Sequence, residues 1–411
     1  MPSLLRAHAD TIIEQSIHAV LPDEAVRRTL GAHSFTGRVF LVAAGKAAWQ
    51  MAAAAVSCLP NIQKGVVVTK YGHVRGPISN CACYEGGHPV PDENSFRGTD
   101  AAVELVSGLN AGDTVLFLLS GGGSALFERP LIPAEELQDI TRQLLACSAD
   151  IVEINTIRKR LSAVKGGRFA QLCAPAHVFA IVLSDILGDP LDMIASGPAC
   201  PDQTTCADAR RVAEKYRLRL SERALACLAG ETPKRLTNVE THVSGSVREL
   251  CAAAAKAAQA LGYEPVILTD QLCCQAKEAG SFLASIVRSH VNPPRPMAFI
   301  AGGETVVQLT GKGLGGRNQE LALAAAEGIA GIRGAAVFSV GSDGTDGPTD
   351  AAGGYVDGET RSRLAAQGIF IHDVLANNDA YHALRAVDGL ITTGPTGTNV
   401  NDVAVALIGV H

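Results

Sequence analysis

One lysine of this sequence lies in a glycine turn that is suited to binding an anion. The segment Val39–Ala52 reads VFLVAAGKAAWQMA, in which an apolar, strand-like run is followed by Gly45, Lys46 and a helix-like stretch. A lysine at the start of a helix opposes the helix dipole unless an anion lies between them. The sequence therefore favours a functional Lys46 over a solvated one, although the segment matches neither the P-loop pattern nor the dinucleotide fingerprint.

A second turn repeats this arrangement with three consecutive glycines. The segment Thr114–Phe127 reads TVLFLLSGGGSALF, and glycines flanked by serines allow the backbone to approach an oxyanion closely. A hydrolase nucleophile is not favoured here, because the G-x-S-x-G pattern is absent. The residues of this turn that are predicted to bind substrate or phosphate are Ser120, Gly121, Gly122, Gly123 and Ser124.

A basic segment offers two further substrate-binding candidates. The segment Ile154–Ala170 reads INTIRKRLSAVKGGRFA and is helical in pattern throughout. Asn155 and Lys159 are four residues apart and share one helix face, so they could point together into a cleft. A solvated charged face explains the same run equally well, and both interpretations stay open.

Carboxylates follow two of the strand-like runs. The segment Leu183–Pro198 places Asp185 and Asp189 just after a buried run, and Gly341–Asp357 opens with Asp343. Oxygen ligands at a strand end suit Mg²⁺, whereas helix capping and turn formation account for one or two such acids. The predicted metal ligands are Asp185, Asp189 and Asp343.

The second half of the chain supplies a cationic glycine loop. The segment Gly302–Ala326 reads GGETVVQLTGKGLGGRNQELALAAA and leads into a helix. Lys312 and Arg317 could clamp phosphate oxygens there, and an arginine is suited to bidentate contact. The residues predicted to bind nucleotide are Lys312, Gly315, Gly316 and Asn318, with Thr396 and Asn399 from the later turn TTGPTGTNVNDVAV.

The elements that must position these residues form an α/β pattern. Short β-rich runs alternate with Ala-rich helical stretches, which predicts a parallel sheet covered on both faces, with ligands at the carboxyl ends of its strands. A polar stretch at 228–241 separates two sets of such units, which predicts domains 1–236 and 237–411. The predicted buried strands are Val39–Ala43, Gly65–Thr69, Thr114–Leu119, Val178–Leu183, Pro265–Thr269, Met297–Ile300 and Ala335–Val340.

Composition excludes several classes of protein. The formal charge of −6 and the lack of a dense basic run argue against nucleic-acid binding. No charge-free apolar run is long enough to span a membrane, and a cytoplasmic location is expected. The eleven cysteines are scattered, and Cys81, Cys83 and His88 match no structural zinc pattern. The sequence leaves a monomer and a homodimer open.

Taken together and in order, these motifs resemble the class II glycerate kinases, also named hydroxypyruvate reductases. The motifs are VAAGKAA, GGHPVPDENS, LLSGGGSALF, LSDILGDPLDMIASGP, GLGGRNQE, GSDGTDGPTDAAGG and TTGPTGTNVNDVAV. The resemblance runs from about Val39 to the carboxyl terminus. It implies a Rossmann-like α/β N-terminal domain, a second, smaller α/β C-terminal domain, and an active site in the cleft between them.

The resemblance also implies a reaction, the phosphorylation of D-glycerate to 2-phosphoglycerate with ATP and Mg²⁺. Lys46 and Arg317 match a lysine and an arginine of the family's motifs, and the resemblance implies that both are essential. We expect Lys46 to contact substrate or the transferring phosphate and Arg317 to stabilise the transition state, with Asp189 as a candidate general base. Two alternatives stay open: an NAD(P)H-dependent hydroxypyruvate reductase and a non-catalytic metabolite-binding protein.

Overall fold

A computed structural model describes residues 3–409 of the chain. The strands are β1 Val39–Ala44, β2 Ile62–Lys70, β3 Cys81–Gly86, β4 Thr114–Leu119, β5 His177–Leu183, β6 Val239–Gly245, β7 Glu264–Leu272, β8 Met297–Gly303, β9 Ala335–Gly341, β10 Gly353–Asp357, β11 Leu390–Ile391 and β12 Asp402–Ile408. The helices are α1 Leu4–Ala19, α2 Pro22–Gly31, α3 Ala48–Cys58, α4 Glu93–Val106, α5 Gly123–Leu126, α6 Ala134–Ala146, α7 Ile151–Arg160, α8 Arg168–Cys173, α9 Cys206–Lys215, α10 Glu222–Leu228, α11 Val247–Ala260, α12 Ala276–Ser289, α13 Arg317–Gly328, α14 Thr360–Ala365, α15 Ile371–Ala376 and α16 Ala380–Ala386. The α/β fold class is thereby confirmed.

The described residues form two compact units. Residues 22–184 and 189–244 make up what we call the N-terminal unit, and residues 3–21, 185–188 and 245–409 make up the C-terminal unit. These units do not coincide with the predicted domains 1–236 and 237–411. The first helix belongs to the C-terminal unit, and β6 completes the sheet of the N-terminal unit.

The N-terminal unit is built on a six-stranded sheet of order β3-β2-β1-β4-β5-β6. The pairs from β3 to β5 are all parallel, as the sequence predicts. Strands β1 and β4 are buried at every position because helices cover both faces of the sheet, which explains their continuous apolar sequences. Their carboxyl ends therefore meet at one edge, where the two predicted glycine turns follow.

The basic segment 154–170 is not one helix, and that prediction is wrong. Helix α7 ends at Arg160 and α8 begins at Arg168. The chain turns between them, with Gly166 at φ +58° and Gly167 at φ +83°, a region that favours glycine. The regular spacing of apolar residues continues across this turn, which is why the sequence pattern did not reveal it.

The C-terminal unit has a second six-stranded sheet, of order β11-β10-β9-β12-β8-β7. Strand β12 pairs antiparallel with both β8 and β9, whereas β7 and β8 are parallel, so this sheet is mixed. Helix α1 packs against this unit, where Ile12 and Ile13 join one core with Leu250 of α11. None of the helices between residues 3 and 409 combines the length and apolar character needed to cross a membrane.

Candidate active site

The turns after β1 and β4 interlock in the N-terminal unit. The backbone N–H of Lys46 donates to the carbonyl of Gly121 over 2.9 Å, and Ser120 Oγ accepts from the N–H of Ala47 over 3.1 Å. Gly45 has φ +123°, and a Cβ atom there would lie 2.3 Å from Ser120 Oγ. Only glycine fits this close approach, so the two predicted anion-binding turns form one structure.

The Lys46 side chain lies beside the glycine turn with its charge uncompensated. The structure records no ion pair or hydrogen bond for its ammonium within residues 3–409. A Cβ atom at Gly122 would lie 3.1 Å from Lys46 Cγ and 3.0 Å from His88 Cδ2, so the glycine lets both side chains approach. Burial and then the charges of Lys46 and Lys70 lower the pKa of His88, so the site is electropositive with a neutral imidazole.

Ser124 and Asn155 are connected through Ser196, a residue that the sequence did not single out. Ser196 Oγ donates to Asn155 Oδ1 over 2.8 Å and lies 3.4 Å from Ser124 Oγ. Ala195 and Ser196 have φ values of 50° and 61°, an unfavourable conformation for residues with a Cβ. The predicted substrate-binding residues Ser124 and Asn155 are thus brought together by a strained segment.

Lys159 does not point to an open cleft. Its side chain is 2% exposed, and its ammonium lies 3.2 Å from Asp192 Oδ2 and 3.3 Å from Asp202 Oδ1. The charge is therefore neutralised inside the protein, and the contact that the sequence missed is Asp202, 43 residues further along the chain. The neighbouring Arg158 also bonds within the protein: its guanidinium donates to the carbonyl of Ser124 over 3.0 Å and so stabilises the glycine turn.

The two predicted metal ligands in the segment 185–189 belong to different units. Asp185 lies in the C-terminal unit and Asp189 in the N-terminal unit. Asp189 has φ +52°, and its Oδ1 atom is buried with no hydrogen-bond partner in the described chain. A buried carboxylate oxygen without a partner is costly, which points to a ligand atom at this position.

In the C-terminal unit, Arg317 is held by two carboxylates. Its Nε and Nη2 atoms donate to the two oxygens of Asp402 over 2.5 and 3.0 Å, and Nη1 donates to Glu304 Oε1 over 3.0 Å. Burial lowers the pKa of Arg317, but the hydrogen bonds and charge of Asp402 outweigh it and raise the pKa above its ordinary value. The guanidinium is therefore permanently charged and fixed, with a third of its side chain exposed.

Asp346 caps the helix that begins with Arg317. Its two oxygens accept from the backbone N–H groups of Asn318 and Gln319 over 3.1 and 2.8 Å. Burial raises the pKa of Asp346 to about 6 despite these bonds. The side chain of Asn318 is buried and bonds to Asp346 and Ser339, so this predicted nucleotide-binding residue orients the helix start instead of facing a ligand.

A cavity of about 880 Å³ lies in front of this helix start, within the C-terminal unit. Gly315, Gly316 and Arg317 line it together with Asp343, so four of the predicted residues meet here. Within residues 3–409, the carboxylate of Asp343 accepts one hydrogen bond, from the N–H of Thr345 over 2.9 Å.

Three other predicted nucleotide-binding residues do not line this cavity as the structure describes it. Lys312 and Asn399 are exposed, and Asn399 Oδ1 accepts from the N–H of Asn401. Thr396 Oγ1 donates to the carbonyl of Ser342 over 2.6 Å. Thr396 lines a different cavity, which Arg6 also lines.

Comparison with known proteins identifies the family. The family descriptions "Domain of unknown function (DUF4147)" and "MOFRL family" match residues 8–229 and 297–402. A protein named D-glycerate 2-kinase, from Thermotoga maritima, is 54% identical, with 99% of each chain covered. The chain belongs to the glycerate 2-kinase family. A crystal structure of glycerate kinase from Thermotoga maritima matches with a TM-score of 0.95 at 53% identity, covering 99% of this chain and 100% of that one.

A second relative extends the similarity to another organism. The protein named glycerate 2-kinase from Pyrococcus horikoshii is 43% identical, with 90% of this chain and 88% of the relative covered. The resemblance inferred from the motifs is thereby confirmed, as is the membership of a family of phosphotransferases that act on an alcohol group.

In this member of the glycerate 2-kinase family, further residues lie beside the predicted ones, each within a single unit: His88 near Lys46 in the N-terminal unit, and Glu304 and Asp402 at Arg317 in the C-terminal unit. His88 lies in the motif GGHPVPDENS, which contributed to the resemblance. The spacing of residues in this motif does not indicate that His88 lies near Lys46. Glu304 and Asp402 lie at the ends of paired strands β8 and β12, where an antiparallel pairing of Asp402 with Gly303 brings them to Arg317. A sequence pattern predicting only parallel strands could not show that pairing.

Proposed function

We propose that this protein transfers the γ-phosphoryl group of ATP to the 2-hydroxyl of D-glycerate. The observation that carries the proposal is Lys46, a lysine beside a glycine turn whose ammonium has no partner in the described part of the chain, in a member of the glycerate 2-kinase family. Phosphoryl transfer requires cations and positioned donors around the reacting group and little covalent chemistry. Lys46 meets that need in a way that the internally paired Lys159 does not.

Glycerate is proposed to bind at the interlocked turns of the N-terminal unit. Its carboxylate, or the phosphate it receives, would lie against Lys46 and the backbone of Gly121–Ser124. Burial lowers the pKa of His88, and the positive charges of Lys46 and Lys70 lower it further; these charges support an anion at this place. Asp189 is the proposed general base, since its buried Oδ1 atom has no partner among residues 3–409 and could accept the proton of the 2-hydroxyl.

ATP is proposed to bind in the cavity of the C-terminal unit. Gly315 and Gly316 allow the backbone to approach phosphate oxygens, and the fixed guanidinium of Arg317 would face the transferring group. Asp343 lines this cavity and its carboxylate has oxygens left for a hard cation, so the residues fit Mg²⁺. When bound, Mg²⁺ would neutralise charge on the phosphate oxygens.

The test is a pair of assays on the purified protein. ADP should form from ATP only when D-glycerate is present, and the product should be consumed by enolase without a mutase, because its phosphate is on C2. A phosphate on C3 would contradict the proposed regiochemistry. Oxidation of NADH or NADPH by hydroxypyruvate, with no ADP formed, would overturn the proposal in favour of the reductase.

A further inference from the structure

Three histidines and a glutamate form a cluster on the surface of the N-terminal unit. We call His33, His177, Glu240 and His242 the histidine cluster. His242 Nε2 lies 2.8 Å from Glu240 Oε1, and His33 Nε2 lies 3.8 Å from the same oxygen. His177 Nε2 lies 3.6 Å from the other oxygen, Glu240 Oε2. The carboxylate is therefore the centre of the cluster, with three imidazole nitrogens around it.

Strand geometry explains why these side chains converge. His177 and Phe179 alternate along β5, and Glu240 and His242 alternate along its neighbour β6, so each pair lies on one face of its strand. The ring of Phe179 stacks on His242 at 4.7 Å and meets the edge of His33 at 4.9 Å. The Phe179 ring thus packs against the imidazoles of His33 and His242 and restricts their positions.

The hydrogen bonding of His33 prepares it as a ligand. Its Nδ1 atom lies 2.8 Å from the carbonyl oxygen of Thr29, which can only accept, so Nδ1 carries the proton. Nε2 then keeps its lone pair and faces Glu240. This use of the second ring nitrogen is the arrangement seen around histidines that bind metals. His242 Nε2 lies 2.8 Å from Glu240 Oε1, and an ion bound between these two atoms would take the place of the proton that they share.

The histidine cluster is separate from the proposed kinase site. His177 begins β5 and pairs in register with Thr114, the first residue of β4. Lys46 and Ser120 instead follow the last residues of β1 and β4. Since these strands are parallel, the cluster lies at the opposite edge of the same sheet from the glycine turns.

We propose that the histidine cluster binds a divalent transition-metal ion of the Zn²⁺ class. The candidate ligand atoms of His33, Glu240 and His242 all lie within 4.8 Å of one another. Ligands on a tetrahedral zinc ion lie about 3.4 Å apart, so small rotations of these partly exposed side chains complete the site. Two imidazoles with one carboxylate favour Zn²⁺ over Mg²⁺ or Ca²⁺, and His177, beside the other Glu240 oxygen, is a further candidate ligand. The bound ion would join the segment after α2 to strand β6.

Calorimetric titration with Zn²⁺ and absorption spectroscopy with Co²⁺ test this proposal. Cys58, Cys273 and Cys274 are exposed, so they are replaced by serine in every sample, because thiolates also bind zinc. One Zn²⁺ should bind per chain and raise the melting temperature. Co²⁺ should give the intense visible bands of a four-coordinate ion without a thiolate charge-transfer band.

Two variants and a matched control locate the ion. His33→Gln and His242→Gln should each weaken Zn²⁺ binding by about tenfold or more. His372→Gln, at an exposed histidine of α15, should bind Zn²⁺ as tightly as the parent. All variants should keep the melting temperature of the parent in the presence of a chelator. No Zn²⁺ binding, unchanged binding by both cluster variants, or a thiolate band with Co²⁺ would overturn the proposal.

Discussion

The lysines of the N-terminal unit differ in which carboxylates, if any, neutralise their positive charge. Lys165 is fully buried, its ammonium lies 3.3 Å from the carboxylate of Glu128, and burial lowers its pKa to about 8. Lys159 lies between two aspartates. Lys46 has no such partner among the described residues. A charge that the protein itself does not neutralise is available for a ligand, so these lysines should respond differently to removal of their charge.

Lys46→Met is expected to abolish most of the kinase activity, because the proposed contact with substrate or phosphate is lost. The free energy of unfolding should change by less than about 0.5 kcal/mol, because the ammonium has no partner among the described residues. It should also raise the pKa of His88, since the nearby positive charge of Lys46 helps to lower it. Steady-state kinetics, urea unfolding and an NMR titration of the His88 ring measure these effects.

Lys165→Met is the control for the loss of a lysine charge. It removes the ion-pair partner of the buried Glu128 carboxylate and leaves only the charge of Arg158 acting on it, so we expect a loss of up to about 3–5 kcal/mol of stability. A large loss of stability in Lys46→Met, with normal turnover of the folded fraction, would mean that Lys46 has a structural role only.

Arg317→Lys tests a contact that needs the planar fork of arginine. A lysine cannot make the paired bonds to Asp402, so the free energy of unfolding should fall by about 1.5–3 kcal/mol. If Arg317 also stabilises the transition state, kcat should fall by something on the order of a hundredfold, with little change in the KM for glycerate. Kinetics well below the melting temperature separate the two effects.

Arg363→Lys is the matched control, since Arg363 donates to Asp357 in the same unit over 2.8 Å and is not proposed to touch substrate. It should keep its kcat. A near-normal kcat in Arg317→Lys would show that Arg317 has only a structural role, through its ion pairs with Asp402 and Glu304.

At the scale of elements, β1 and β4 were predictable because burial on both faces imposes continuous apolar runs. The predicted buried strand Pro265–Thr269 lies within β7 but is largely not buried, and strands β3, β6, β10 and β11 were not predicted. VFLVAA and TVLFLL were both recognised for this reason, and the glycine turns after them followed. Pairings between distant segments were not predictable. Asp202 reaches Lys159 across 43 residues, and the histidine cluster combines residues 33, 177, 240 and 242, which share no local pattern.

Gly45→Ala tests the interlock of the two turns. A Cβ atom at Gly45 would lie 2.3 Å from Ser120 Oγ and 2.5 Å from the Ser120 carbonyl oxygen, so the turns must separate and carry Lys46 with them. We expect loss of activity and a loss of stability of about 2–4 kcal/mol, combining backbone strain with overpacking. Urea unfolding and the ADP assay measure both.

Gly72→Ala is the control for backbone strain alone. Gly72 also has a positive φ, +78°, but a Cβ atom there would have no heavy atom of residues 3–409 within 4 Å, its chain neighbours apart. It should lose only about 1–2 kcal/mol and keep its activity. Equal effects of the two substitutions would show that the close approach at Gly45 adds nothing.

At the scale of the whole molecule, the order of the chain is a poor guide to the two units. Helix α1 opens the sequence but belongs to the C-terminal unit, while β6, at 239–245, completes the sheet of the N-terminal unit. The polar stretch at 228–241 suggested a boundary because loops are polar. A loop between α10 and β6 has the same composition, so composition alone could not distinguish a connection within one unit from a connection between two.

Ile12→Ala tests the placement of α1. Ile12 is fully buried in one core with Leu250 and Ala254 of α11, so its truncation should cost about 2–5 kcal/mol. Hydrogen exchange should show the loss of protection in the segment 247–260, which lies far away in sequence. Met51→Ala, at a fully buried residue of α3, is the matched control. It should reduce the hydrogen-exchange protection of the segment 114–119 instead, because Met51 shares the core of the N-terminal unit with Leu116. If Ile12→Ala reduced protection in 114–119 and left 247–260 unchanged, α1 would belong with the N-terminal unit, as the order of the sequence suggested.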